Sequence, residues 1–110
     1  MSVQKIKAML GFAQRAGKIV AGNNLVLQAI SRPKPKGLVL VADNALTPTG
    51  QALIDKCRAR GVPVFRVPLE MDALGQAIGK NRRGYVYVDD PGFAARITEL
   101  LKEVEVLPFE

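Results

Sequence analysis

The stretch Lys18-Ile19-Val20-Ala21-Gly22-Asn23-Asn24-Leu25-Val26-Leu27-Gln28-Ala29-Ile30 decides how this chain folds. Its opening residues, 18–21, are short and largely apolar and read as a strand. Gly22 supplies the positive φ or close backbone approach that a tight strand-to-helix turn asks for. Leu25, Val26, Ala29 and Ile30 then recur at helical spacing, so a helix runs from Asn24 to about Ser31. Asn23 or Asn24 is placed to cap it. The first N–H groups of such a helix lack intrahelical partners and carry the positive end of its dipole, which makes an anion site. Basic residues flank the stretch on both sides: Arg15, Lys18, Arg32, Lys34 and Lys36.

Working outward, the pattern repeats. Upstream, Val3, Ile6, Leu10 and Ala13 recur at helical spacing, with Met9 widening the stripe, and predict a helix over 3–16 that Gly17 ends. Gly11 inside it is unfavourable by about 1 kcal/mol relative to alanine, which points to packing against another element. Downstream, Arg32-Pro33-Lys34-Pro35-Lys36-Gly37 cannot be helix and reads as a stiff, extended basic loop. Leu38-Val39-Leu40-Val41-Ala42 is apolar at every position, the mark of a strand covered on both faces. Thr47-Pro48 opens a third helix, with a hydroxyl at the cap and proline in the first turn. Leu53, Ile54 and Cys57 face inward from it, and Gly61 ends it. Val62 to Val67 is a third strand. Asp72 is expected to cap a fourth helix over Ala73–Ile78. Lys80-Asn81-Arg82-Arg83-Gly84 is a basic turn, Tyr85 to Val88 a fourth strand, and Asp90-Pro91 opens a fifth helix. The tail 106–110 is expected to be loosely held. Helices alternating with strands over 110 residues make one domain, 1–110, of α/β class, with helices on both faces of a four-stranded sheet.

Charge and composition narrow the chemistry. The net charge is +6, but its distribution says more. Residues 1–42 hold seven basic residues and no Asp or Glu, whereas the rest holds nine basic and ten acidic residues. Such polarity predicts a basic face suited to a polyanion, although a solvated surface has the same composition. The chain has no histidine, which removes the usual general base and the commonest metal ligand. Its single cysteine, Cys57, excludes an internal disulfide and a thiolate zinc site, and fits a reducing cytoplasm. No phosphate-loop or dinucleotide glycine pattern occurs, and no apolar run approaches the roughly 20 residues of a membrane span. Asp89-Asp90 can hold a hard cation, but a helix cap at Asp90 is the simpler reading. Asp43-Asn44 follows the buried strand, where α/β proteins often bind ligands, or it simply closes that strand. No catalytic residues, metal or cofactor are expected.

Met9-Leu10-Gly11-Phe12-Ala13-Gln14-Arg15-Ala16-Gly17-Lys18, the stretch Gly22 to Ile30, Leu38 to Asp43, Lys56-Cys57, Gly61 to Val64 and Leu74 to Gly79 occur in an order and spacing that resembles a known family. It is the kink-turn RNA-binding ribosomal protein family, of the L-seven-Ae type, and in particular its small bacterial YlxQ-like branch. The resemblance spans about residues 3–104. It implies a three-layer α/β/α sandwich with a mixed sheet. It also implies that the start of the second helix enters the widened groove of an RNA kink-turn and reads tandem sheared G·A pairs. The family pattern there is Gly-x-Asn-Glu, with Lys three residues after the Glu. Gly22 and Asn24 match, beside Asn23. Leu25 stands at the Glu position and Gln28 at the Lys position. Gln28 retains hydrogen bonding to a base without the charge, while Leu25 cannot accept from a guanine edge. Arg32 matches a position that contacts backbone phosphate. Arg15, Lys18 and Lys36 would neutralise further phosphates. Leu69, in the loop after the third strand, would cover an extruded base or else belong to the core.

The expected function is therefore non-catalytic binding of structured RNA (a kink-turn or ribosomal RNA), with ribosome association, by a cytoplasmic monomer that does not contact membranes. The alternative is a protein-interaction module on the same fold that has lost the RNA contacts, which Leu25 and Gln28 motivate.

Overall fold

A computed structural model describes residues 2–109. In order, its elements are α1 (Ser2–Arg15), β1 (Ile19–Ala21), α2 (Asn23–Ile30), β2 (Leu38–Ala42), α3 (Pro48–Ala59), β3 (Val64–Val67), α4 (Met71–Ala77), β4 (Tyr85–Val88) and α5 (Pro91–Glu103). The strands form one mixed sheet in the order β1-β4-β2-β3. β2 and β3 are parallel, while β4 runs antiparallel to both β2 and β1. α2 packs on α3 and against β1 and β4; α1 packs on α4 and α5. Two helical layers thus enclose the sheet, which is the expected α/β/α sandwich.

Every residue of β2 is buried, as its unbroken apolar run requires of a strand with both faces covered. Each such aliphatic side chain contributes about 1.5–3 kcal/mol on leaving water. Tyr87 is the largest buried side chain, and its hydroxyl accepts hydrogen bonds from the backbone N–H groups of Lys36 and Gly37, both at 3.2 Å. Burial pushes its pKa upward, against those two donated bonds. Cys57 is fully buried in α3, and burial raises its thiol to about 11.

The cap residues mostly follow their chemistry. The Thr47 hydroxyl accepts from the Gly50 N–H at 3.2 Å, and the Asp90 carboxylate from the Phe93 N–H at 2.8 Å. Asp72, however, does not cap α4. That helix begins at Met71, whose N–H donates to Asn44 Oδ1 at 2.9 Å, so a side chain from the β2–α3 loop takes the place of a local cap. The tail is not loose: Pro108 bridges to Phe65, and the Phe109 N–H donates to the Val64 carbonyl at 2.9 Å. It therefore covers part of the β3 edge. Nor is the 32–37 loop extended throughout, because Lys34 takes a left-handed conformation with φ 55°. Gly11 does lie against α4, but an added methyl would sit 3.6 Å from the Ala77 carbonyl, an ordinary contact.

The topology has a consequence for charge. β1, β2 and β3 all point the same way, so the helices that follow them all begin at one end of the sheet. β4 is antiparallel, which brings the turn before it, Lys80 to Gly84, to that same end. Helix N-termini and a basic turn thus share one rim of the molecule.

Candidate nucleic-acid interface

The turn at Gly22 is built as the sequence suggests, with one change. Gly22 is itself the N-cap of α2, at φ 99° and ψ 148°, a conformation that β-carbon sterics deny to other residues. Its N–H donates to the Tyr85 carbonyl at 2.9 Å, and its carbonyl accepts from the Val26 N–H at 2.9 Å. Asn23 and Asn24 are inside the helix and neither side chain caps it. The reason is the glycine: once the chain turns at Gly22, the asparagines lie one and two residues too late to reach the orphan amides. The helix start therefore carries its N–H groups and dipole with no side-chain cap. Asn24 is exposed beside it. Asn23 is half-buried, and its Oδ1 is buried without a hydrogen-bond partner. An orphaned acceptor of this kind is unfavourable by about 1–3 kcal/mol.

A groove of about 360 Å³ lies against β1 and is lined on the helix side from Leu25 onward, so Gly22, Asn23 and Asn24 stand just outside its lining. Leu25, Gln28 and Arg32 line one side, at the i, i+3, i+7 spacing that stacks side chains along one face of α2 and its exit. Gln14 of α1 lines the other side with Lys80 and Arg83 from the turn before β4. Ile19, Val20 and Ala21 form the floor and are only half-buried. The register leaves part of that floor polar. The Lys18 carbonyl accepts from the Asp89 N–H and the Gly22 N–H donates to the Tyr85 carbonyl, on either side of the Val20–Tyr87 pair. By antiparallel alternation, the N–H and C=O groups of Ile19 and Ala21 point away from β4, into the groove.

Gln28 and Arg32 are thus brought together beside the Gly22–Asn24 turn. Other expected residues fall elsewhere. Arg15 is exposed at the end of α1, with its guanidinium 4.9 Å from the centre of the Phe12 ring. Lys18 is exposed at the entry to β1. Lys36 lines a second groove with Tyr87. Leu69 is 6% exposed and belongs to the core; the loop after β3 turns it inward, its carbonyl accepting from the Asp43 N–H at 2.8 Å. It is not on the surface to cover a base. Asp43 is engaged as well, paired with Arg66 at 2.7 Å.

Gln14, Lys80 and Arg83 are groove residues that the sequence reading passed over. The signal for two of them was present in the basic turn Lys80-Asn81-Arg82-Arg83-Gly84. What linear sequence cannot supply is the fold that sets this turn across from α2. Two contacts position it: the Arg83 N–H donates to the Met71 carbonyl at 3.1 Å, and the Lys80 N–H donates to the Gly75 carbonyl at 2.9 Å. Gly75 is required there, since a β-carbon would collide with the Asn81 carbonyl.

The ion pairs seen among the described residues are Arg66–Asp43, Arg82–Asp72 and Arg96–Glu99. None involves Lys80, Arg83 or Arg32. The groove combines three cations, the side-chain amides of Gln14 and Gln28, backbone polar groups of β1 and, on its α2 side, the apolar Leu25, which is 56% exposed. Among the described residues there is no cluster of three or more metal-ligating side chains, and no helix is long and apolar enough to cross a membrane.

This fold and this edge define a class. The chain belongs to the ribosomal protein L7Ae/L30e/S12e/Gadd45 family, whose sequence model matches residues 4–98. Within it the chain falls in the YlxQ-like branch. It is 40% identical over 93 residues to the RNA-binding protein YlxQ of Bacillus subtilis (strain 168), covering 84% of this chain and 91% of that protein. It is 36% identical over 99 residues to the RNA-binding protein YlxQ of Enterococcus faecium, covering 90% and 93%. A solved structure of a protein with unknown function from Bacillus halodurans C superposes with a TM-score of 0.81 at 33% identity, over 89% of this chain and 97% of that one.

Proposed function

We propose that this protein is a non-catalytic RNA-binding protein that recognises a sharply bent, structured RNA of the kink-turn type, and that it works in the cytoplasm as a monomer associated with ribosomal or other structured RNA. The observation that carries the proposal is the groove along β1. It gathers Gln28, Arg32, Lys80 and Arg83 next to the uncapped start of α2, and these cations take no part in the ion pairs seen among the described residues. Phosphates are matched by these cations and by the helix start. A splayed or unpaired base is matched by the Asn24 and Gln28 amides, because irregular RNA exposes the edges that side chains can read. The names of the YlxQ relatives support the same reading. Leu25 and Gln28, in place of a charged pair, lower the expected affinity while leaving the site's shape.

Fluorescence anisotropy with a kink-turn hairpin and a straight duplex of equal length tests this. The hairpin is expected to bind more tightly, with log K falling steeply as log[salt] rises. Asn24→Ala is expected to weaken the hairpin by about 1–3 kcal/mol, as loss of a specific base contact does, and to leave the duplex unchanged. Equal binding of both RNAs, indifferent to Asn24, rules out the reading. The exposure of Leu25 favours one other reading, a surface for a protein partner. Capture of one protein that survives ribonuclease treatment and is lost in Leu25→Ser supports that reading instead.

A further inference from the structure

Arg32 lines two grooves, not one. Besides the groove along β1, it borders a second, of about 240 Å³, between the end of α2, the 32–37 loop and the end of β4. Lys34, Lys36, Tyr87 and Asp89 complete this second groove. The loop that carries its cations is fastened at both ends. The Arg60 guanidinium donates to the Ile30 carbonyl at 3.1 Å and to the Arg32 carbonyl at 2.9 Å, while the Lys36 and Gly37 N–H groups donate to the buried Tyr87 hydroxyl. Two prolines, Pro33 and Pro35, remove further freedom. Arg32, Lys34 and Lys36 are exposed and take no part in the ion pairs seen among the described residues. Cations on a preorganised loop lose little entropy when an anion arrives.

Asp89 sets the chemistry of the ligand. Asp89 lines a groove whose other charged residues are cations, and its carboxylate lies by the Tyr87 hydroxyl, whose proton it helps to hold while keeping further lone pairs free to accept; its charge disfavours a ligand that offers negative charge alone. A nucleotide offers both phosphate for the lysines and N–H groups for a carboxylate. We infer that the RNA held along β1 continues past Arg32 into the second groove, where Lys34 and Lys36 neutralise its phosphates and Asp89 accepts a hydrogen bond from the edge of an unpaired base. The footprint then runs the length of the β1 side, from Lys80 at one end of the sheet to Lys36 at the other. This inference rests on the RNA reading above.

The test uses a blunt kink-turn hairpin and the same hairpin with a single-stranded extension of about six nucleotides at its 5′ or 3′ end, a length in the range that one small binding surface occupies. One of the extensions is expected to strengthen wild-type binding on the order of tenfold and to steepen the salt dependence by roughly one to two charges. The double variant Lys34→Gln/Lys36→Gln is expected to lose that gain, weakening the extended hairpin several-fold more than the blunt one. An extension of abasic residues is expected to give a smaller gain than one with bases, and Asp89→Ala to erase that difference. A wild type that binds the hairpin but gains nothing from either extension overturns this inference and leaves the RNA reading standing. So does a double variant that weakens blunt and extended RNA equally, or an abasic extension as effective as a normal one. Displacement of the extension, but not of the hairpin, by an equally charged polyglutamate peptide overturns it too, since the groove is then a general acidic-ligand site. A wild type that binds no hairpin removes both readings together.

Discussion

The sheet has two edges, and they are finished in opposite ways. At the β3 edge the chain's own tail pairs with Val64 and Phe65, three of the four strand residues are buried, and the outward Arg66 is matched by Asp43 at 2.7 Å. At the β1 edge all three strand residues are half-exposed, backbone groups face a groove, and the cations around it take no part in the ion pairs seen among the described residues. An open edge is ordinarily a hazard that proteins cover or blunt. Here one edge is covered and the other is left open beneath a ring of positive charge. The difference is one of closure: the β3 edge is finished by the chain's own tail and an ion pair, while the β1 edge keeps its backbone groups and cations open to a partner, which is where the RNA proposal places the ligand.

Four changes break or sharpen that contrast. The largest effect is expected from charge reversal at the open edge. Arg32→Glu/Lys80→Glu should weaken binding of a kink-turn hairpin on the order of a hundredfold and flatten its salt dependence by about two charges. Both residues are exposed, so the thermal midpoint should stay nearly constant. Next is Gly75→Ala, whose methyl collides with the Asn81 carbonyl. It should destabilise the fold by about 1–3 kcal/mol and also weaken RNA binding, because the turn carrying Lys80 and Arg83 must move. Denaturant unfolding and anisotropy on the same sample check both.

The third change is pH. The Cys57 thiol is raised from its ordinary 9.0 to about 11 by burial, and the buried Tyr87 is raised as well. In both, the folded state holds its proton after the unfolded chain has released it. Stability is therefore full below pH 9 and falls as the pH climbs towards about 11, where Cys57 alone accounts for about 2 kcal/mol. Cys57→Val should flatten that part of the curve in urea titrations at a series of pH values. The smallest effect belongs to the closed edge. Asp43→Asn removes an ion pair whose partners are each about half exposed, so it should lower stability by less than about 1 kcal/mol and leave RNA affinity unchanged or slightly improved.

How much was legible in advance varies by element. β2 announced itself because both its faces are buried, and α3 and α5 because their caps are local: Thr47 and Asp90 reach amides three residues away. The start of α4 is not legible in sequence because its cap is not local; Asn44, twenty-seven residues upstream, supplies it. The sequence locates α2 but points to an asparagine cap, whereas Gly22 makes the turn by backbone geometry alone. Leu69 illustrates the ambiguity of a single apolar residue in a short loop, which looks the same in sequence whether it points outward or, as here, into the core.

The sequence by itself determined the class of the protein, the strand-glycine-helix turn at 18–30 and the concentration of positive charge in the first 42 residues, because periodicity, turn chemistry and charge are local properties of a chain. Which charges act together was decided only by tertiary structure. The antiparallel insertion of β4 between β1 and β2 carries the Lys80–Arg83 turn to the start of α2 and sets Tyr87 and Asp89 beneath the 32–37 loop. Fields add in space and not along the sequence, so a groove lined by residues 14, 28, 32, 80 and 83 exists only once the sheet has formed.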